Sequence, residues 1–226
     1  MINLGVIVCA RLNSMRLTNK MLRPFSNTTL IDISLNLLNQ LKGVSVYYGA
    51  GEEELMERVS SYPNIKLLKR DYDSLNLDFP LTTIFRCFED IEEDYILKLN
   101  PCTPFLSVNT IQKFIEFWQE HQYRSVTSVI QDNGWYYSLD GTPLNVVDPK
   151  SGDTKTSEKV YKVAHAFHLF EKKRFFDTGN IWTNTKNDPY LYEIPHDESF
   201  DIDFEYEFIM CESIYNKRFS KKEAGN

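Results

Sequence analysis

Three cations lie close together near the start of the chain, Arg11, Arg16 and Lys20, spaced Arg-x₄-Arg-x₃-Lys. Arginine offers paired hydrogen bonds to neighbouring oxygens and lysine a compact point charge. One loop carrying all three therefore suits a polyphosphate, with Asn13 and Ser14 as neutral donors. Far along the chain, Asp201 and Asp203 stand two residues apart. In an extended segment such a pair points to one side, and two carboxylates on one side suit a hard divalent cation such as Mg²⁺. The alternatives are an exposed basic loop without a ligand, and a pair of acids that favour the dipole of a closing helix.

These residues need elements to hold them. Residues 2–9 are short, apolar and β-branched, the pattern of a buried strand that runs straight into the basic loop. Helical spacing over 30–41, with Thr28 or Thr29 as N-cap, is followed by a strand at 44–48, a helix at 52–59 and a strand at 65–68. A polar loop at 69–79, a helix at 81–91 and a strand at 95–99 come next. The two prolines of Asn100-Pro101-Cys102-Thr103-Pro104 stop that strand. A helix at 108–121 and a strand at 125–130 complete the alternation. Repeated β-α pairs over 130 residues predict an α/β fold, a parallel sheet with helices on both faces. In such sheets the ligand lies beyond the carboxyl ends of the strands, at loops 10–24, 69–79 and 100–106.

After residue 130 the pattern changes. Residues 134–147 read as a hairpin or extended arm and 151–159 as irregular. A strand at 163–170, a short helix at 172–176, a strand at 190–194 and a helix at 204–215 follow. Residues 1–226 are taken as one domain, with 130–185 as an insertion for dimerisation or for covering the substrate. The aromatic arm predicts a homodimer. Strand alternation predicts that His165 faces one side with Phe167 while His168 faces the other.

The composition narrows the function. The chain has 226 residues, and 25 Lys+Arg against 32 Asp+Glu leave a net charge of −7. That argues against a general binder of nucleic acid. Apolar residues make up 42%, enough for a core. The charge is polarised: residues 1–31 carry four cations and no acid, while residues 188–207 carry eight acids and no Lys or Arg. Only 9 glycines are present, so a glycine-rich phosphate cradle is not expected. The four cysteines lack metal-ligand spacing and read as free thiols of a reducing compartment. No apolar run reaches membrane-spanning length, and residues 2–10 lack the features of a signal peptide. A cytoplasmic protein without membrane partners is expected.

The string A-R-x-x-S-x-R-L-x-x-K-x-L at Ala10–Leu22 resembles the N-terminal signature of the sugar-acid cytidylyltransferases: the acylneuraminate enzymes, their 3-deoxy-manno-octulosonate relatives and the spore-coat polysaccharide enzymes. Three further stretches are similar in order. Thr83–Asp90 with Tyr95–Leu106 resembles the family's helix, strand and "Q-P-T-S-P-L" turn. Ser125–Val129 resembles its "S-V-x-S-V" strand. Phe200–Asp203 with Phe208 resembles its C-terminal "D-I-D" motif.

The resemblance implies a three-layer αβα Rossmann-like fold of the nucleotide-diphospho-sugar transferase type, with a mostly parallel sheet and an extended arm insertion. It implies transfer of CMP from CTP to the anomeric hydroxyl of a sugar acid, a nonulosonic acid resembling sialic acid, for surface glycan synthesis. Pyrophosphate is released and Mg²⁺ is required. Arg11 and Lys20 would act on the triphosphate as catalytic groups, helped by Ser14 and Arg16. Thr82 and Thr83 would lie near the cytosine end, Asn100 and His165 at the sugar, and Asp201 and Asp203 at the metal. Simpler roles compete: helix capping for the threonines, a turn before Pro101 for Asn100, and a core or rim position for His165.

The chain also departs from the family pattern. Thr18-Asn19 replaces the usual Pro-Gly, Met21 a usual Asn or Pro, Leu106 a common Arg and Glu207 an Asp. Two other functions remain open: a nucleotidyltransferase or glycosyltransferase using another nucleotide, and a non-catalytic nucleotide binder.

Overall fold

The computed structural model describes residues 3–14, 16–145, 150 and 152–219. Ile2 of the predicted first strand, residues 146–147 of the predicted arm and Ser151 lie outside them.

A seven-stranded sheet organises the chain. Strand β1 (Leu4–Cys9) pairs in parallel with β4 (Ser45–Ala50) and β6 (Tyr95–Leu99), and β4 pairs in parallel with β5 (Lys66–Lys69). Between β1 and β4 a small ribbon forms from β2 (Pro24–Phe25) and β3 (Thr28–Thr29). On the other side of β6 come β8 (Val160–Glu171), β7 (Ser125–Asp132) and β9 (Tyr190–Glu193). Strand β8 is antiparallel to both β6 and β7, while β9 is parallel to β7. It is therefore the one strand of this sheet running against the others.

Central strands buried on both faces need apolar residues at successive positions, and alternation divides those residues between two cores. Val6, Val8, Leu97 and Leu99 face the larger core. There they meet Leu30, Ile31, Leu35 and Leu38 of α1 (Leu30–Asn39), Leu55 and Val59 of α2 (Glu53–Ser60), Ile111, Phe114, Ile115 and Trp118 of α4 (Val108–His121), and Phe208 of α6 (Glu205–Phe219). Ile7, Tyr47, Ile96 and Phe170 face the smaller core. It is closed by Ile84 of α3 (Leu81–Ile84), Phe85, Phe88 and Phe175 of α5 (Lys172–Thr178). Helices on both faces give the predicted three layers. Among the described residues, no helix is long and apolar enough to cross a membrane.

Local rules set the helix ends. The Thr29 hydroxyl accepts from the Asp32 amide at the start of α1, and Ser107 accepts from Thr110 at the start of α4. Gly179, at φ +75°, ends α5 in the left-handed conformation. The single helix predicted at 81–91 instead breaks at Phe85 into α3 and a 3₁₀ turn at Arg86–Phe88. The break lets Phe85 and Phe88 both pack into the smaller core.

The stretch 130–185 divides in two. Its outer part is a hairpin in which Ser138 and Thr142 bond across the turn and the Leu144 amide donates to Tyr136. Its inner part, β8, belongs to the middle of the sheet.

Candidate active site

The loop after β1 is anchored at its root. The Ala10 amide donates to the Gly49 carbonyl (3.1 Å), and the Leu12 amide to Glu52 Oε1 (2.7 Å). Leu17 and Met21 are buried and hold the loop down. Asn19 adopts φ +54° and its carbonyl accepts from the Leu22 and Arg23 amides (both 3.0 Å). Asparagine tolerates this left-handed conformation better than most residues. Asn19 thus keeps a bend that glycine usually serves.

The two charge poles of the sequence meet directly. Lys20 Nζ donates to the Ile202 carbonyl (2.7 Å) and lies 3.2 Å from Asp203 Oδ1, which also accepts Arg16 at 2.9 Å. Arg23 makes two bonds to Glu205 (2.6 and 2.7 Å) and lies over the Phe208 ring. The Ser26 amide donates to Glu212 (2.7 Å). Burial works against the charge on Lys20, but Cys102 and Asp203 outweigh it and its pKa is raised. Burial pushes the Cys102 thiol up to about 11. The thiol is protonated at neutral pH, so the anion holding Lys20 there is Asp203.

Segment 201–203 lies outside any helix or strand, with Ile202 fully buried and both aspartates part-exposed. Helix α6 begins at Glu205, so the aspartates are not its first-turn acids. Glu207 takes that role, accepting from the Asp203 (2.7 Å) and Phe204 (2.9 Å) amides as half of a capping box. Asp201 Oδ1 is buried and has no hydrogen-bond partner. Burial, then the nearby Asp203 charge, raise the Asp201 pKa against the pull of Lys20 and a hydrogen bond from Asn100. An orphaned buried carboxylate oxygen beside a second carboxylate is a donor set that fits a hard divalent cation. Among the described residues, no three His, Cys, Asp or Glu side chains cluster as a metal cage. A Mg²⁺ bound here would keep water or substrate oxygens in its remaining positions.

Arg11 occupies a neighbouring pocket. Its guanidinium donates to the Leu75 carbonyl (3.0 Å), and burial together with the nearby Arg70 lowers its pKa. Arg70 is a buried cation that the sequence reading did not single out. It donates to the Ala10 carbonyl (3.0 Å) and to the Ser74 carbonyl, tying the basic loop to the 69–79 loop. The signal was a charged residue just after β5, at the carboxyl edge of the sheet. Gly51 permits this closure, because a Cβ there would lie 2.8 Å from the Leu75 side chain. Thr82 and Thr83 lie in α3, which packs on the 73–75 turn. Ser14 turns inward: its hydroxyl accepts from the Leu17 amide at 3.4 Å.

Asn100 accepts from the Cys102 amide (3.0 Å) as a turn former, and it also bonds Asp201. His165 breaks the predicted alternation. Pairing between β7 and β8 jumps from Thr127↔His168 to Val129↔Val163, so three extra β8 residues bulge opposite Ser128. Within the bulge His165 adopts φ +53°, and its ring comes within 5.5 Å of the His168 ring instead of pointing away. His165 and Asp201 line a cleft of about 340 Å³ together with Lys162, His196 and Tyr206.

The fold is a three-layer αβα sandwich in which cations of the first loop meet the Asp201–Asp203 segment. Residues 5–222 match the family model described as Cytidylyltransferase, and the chain belongs to that family. A curated relative, 3-deoxy-manno-octulosonate cytidylyltransferase from Rickettsia typhi (strain ATCC VR-144 / Wilmington), is 27% identical over 135 residues, covering 57% of this chain and 54% of the relative. The match thus spans about half the length of that relative.

Solved structures share the fold. A CMP:2-keto-3-deoxy-manno-octonic acid synthetase complexed with CTP superposes with TM-score 0.66 at 9% identity, over 96% of this chain and 100% of the other. The 4-diphosphocytidyl-2C-methyl-D-erythritol synthase of Anaerococcus prevotii DSM 20548 gives 0.66 at 13%, over 96% and 97%. A cytidylyltransferase from Leptospira borgpetersenii serovar Hardjo-bovis (strain JB197) gives 0.62 at 15%, over 98% and 90%.

Proposed function

We propose that this protein transfers CMP from CTP to the anomeric hydroxyl of a sugar acid, a nonulosonic acid of the sialic-acid type, and releases pyrophosphate. The observation that carries the reading is the convergence of Lys20 and Arg16 on Asp203, beside the orphaned oxygen of Asp201, at the carboxyl end of the sheet. The sugar-acid relative and the CTP-bound synthetase of like fold support it.

In this reading the acceptor hydroxyl attacks the α-phosphorus in line and pyrophosphate leaves. Negative charge builds on the phosphoryl oxygens, so catalysis is mostly positioning and charge stabilisation. Arg11, Arg16 and Lys20 hold the triphosphate, with Lys20 kept charged by Asp203. Asp201 and Asp203 would hold Mg²⁺, which neutralises phosphate charge when bound. Asn100 orients Asp201. Thr82 and Thr83 are assigned to the cytosine end, Ser14 to the loop's shape, and His165 to the acceptor side.

Mass spectrometry of products from CTP, Mg²⁺ and a panel of sugar acids tests the proposal. A CMP-sugar with stoichiometric pyrophosphate is expected, and Lys20→Ala should abolish it. No CMP-sugar from any acid, or stabilisation by UTP and not CTP in a thermal-shift screen, overturns it. The exposed Trp135, Tyr137, Leu139 and Leu144 of the hairpin support a homodimer; a monomeric mass by light scattering refutes that part.

A further inference from the structure

Lys98 lies next to the carboxyl end of β6, two residues before Asn100, and is used by none of the interactions above. Along β6, Leu97 and Leu99 turn to the larger core and Ile96 to the smaller. Lys98 therefore points to the smaller-core side, one step closer to the sheet's carboxyl edge than Ile96. Its register partners are Ile7 on β1 and His168 on β8. It is half-buried, and among the described residues its ammonium has no hydrogen bond or ion pair.

Its surroundings supply little negative charge. Burial lowers its pKa, opposed by Cys9, Cys102 and Asp201. The Cys9 and Cys102 thiols are each pushed up to about 11 by burial and are neutral near pH 7. His168 is neutral too: its Nδ1 bonds Thr127 Oγ1 at 2.8 Å, and burial, then Lys98 and His165, bring its pKa to about 3. Of the groups acting on Lys98 among the described residues, Asp201 is the one carboxylate, and it also feels Lys20. Burial thus disfavours the charged ammonium, and a bound anion favours it.

The reaction offers two anions. The triphosphate faces Arg11, Arg16 and Lys20, leaving the acceptor's carboxylate. In a 2-ulosonic acid that carboxylate is bonded to the anomeric carbon whose hydroxyl attacks. Its binding group must therefore stand near the phosphoryl-transfer acids, and Lys98 sits at the end of the strand whose continuation holds them: the Cys102 carbonyl, four residues on, accepts from the Ile202 amide (3.0 Å) between Asp201 and Asp203.

We propose that Lys98 receives the carboxylate of the acceptor acid and so sets the enzyme's requirement for an acid over a neutral sugar. This rests on the reading under Proposed function.

The test compares wild type with Lys98→Met and Lys98→Arg, each checked for an unchanged melting temperature. It uses the acid that reacts best in the panel and its analogue with the carboxylate reduced to a primary alcohol. The KM for the acid should rise about 10- to 100-fold in Lys98→Met, with the KM for CTP unchanged and partial rescue in Lys98→Arg. The two proteins should treat the alcohol analogue alike. A change in the CTP term, or none in either, overturns the proposal. If wild type turns over no acid, the functional reading fails. Lys98 is then judged by calorimetric titration of N-acetylneuraminate and 3-deoxy-manno-octulosonate: binding lost in Lys98→Met upholds it, while equal binding or none in wild type refutes it. If Lys98→Met does not fold, Lys98→Arg with the alcohol analogue decides alone: a KM shift for the acid and none for the alcohol upholds the assignment, and equal shifts refute it.

Discussion

Two arginine–carboxylate assemblies differ in how completely they are satisfied. At one, Arg174 grips Asp188 through two bonds (2.9 and 3.2 Å), Ser125 and Thr183 add donors to the same carboxylate, and Arg174 also reaches the Ile181 carbonyl. At the other, Asp203 is shared between Arg16 and Lys20, while Asp201 keeps a bare buried oxygen. The first network ties α5 to the approach of β9 and fills both oxygens of the Asp188 carboxylate, leaving Arg174 Nε as its one buried donor without a partner among the described residues. The second leaves bonding capacity open where the sheet's carboxyl edge meets the basic loop. A carboxylate filled in this way contributes stability; one with a bare oxygen keeps capacity for a ligand.

Substitutions should separate the two by what they change. The largest effect is expected from Lys20→Ala: CMP-sugar formation falls at least about 10³-fold, while the melting temperature of the unliganded protein moves little. A loss under about tenfold would take Lys20 out of the chemistry. Next, Arg174→Met should destabilise the fold by about 1–3 kcal/mol, because it removes the charge partner of a part-buried carboxylate that keeps only its Ser125 and Thr183 donors. Denaturant melts report that loss, and turnover per folded molecule should be retained.

The two aspartates should also respond to pH in opposite senses. Burial pushes Asp188 up, but Ser125, Thr183 and Arg174 pull it down more strongly, to about 2. Its folded pKa lies below its unfolded value of 3.8. The stability it contributes is present above pH 4 and lost as pH falls towards 2. Asp201 is raised, so in metal-free protein its ionisation costs stability as pH rises above 4. Asp201→Asn should therefore raise the neutral-pH melting temperature of metal-free protein by a small amount and abolish activity. Asp188→Asn should lower that temperature, and should flatten the acid limb of the stability curve. The same direction in both would break the contrast. The smallest effect belongs to Arg23→Ala, which removes an exposed pair with Glu205 and should leave the melting temperature nearly unchanged.

Much of this arrangement was legible in the chain. Continuous apolar runs marked β1, β4 and β6, since both faces of those strands are covered. The opposed charge of residues 1–31 and 188–207 anticipated the meeting of Arg16, Lys20 and Arg23 with Asp203 and Glu205. What stayed hidden depends on partners distant in sequence. Nothing local to β8 says that it enters the sheet between β6 and β7. Its bulge exists because three residues have no counterpart on β7, and that alone brings His165 to His168. Phe85 and Phe88 break a helical pattern because both are drawn into one core. Arg70 looked like a loop charge and is a buried tie. Asn100 makes the turn at Pro101 that competed with a sugar contact in the sequence.

The Lys20–Asp203 contact joins residues 183 positions apart, and this bears on how the protein is made. A nascent chain that ends before residue 201 presents the basic loop but not the acids that complete it. Long-range closure of this kind is slow to form, and synthesis delivers the acids after the sheet's other strands. Catalytic competence should therefore appear only once residues 201–207 have emerged, so that partly synthesised chains carry no transferase activity. Loop and tail supplied as separate fragments should recover it only on reassociation.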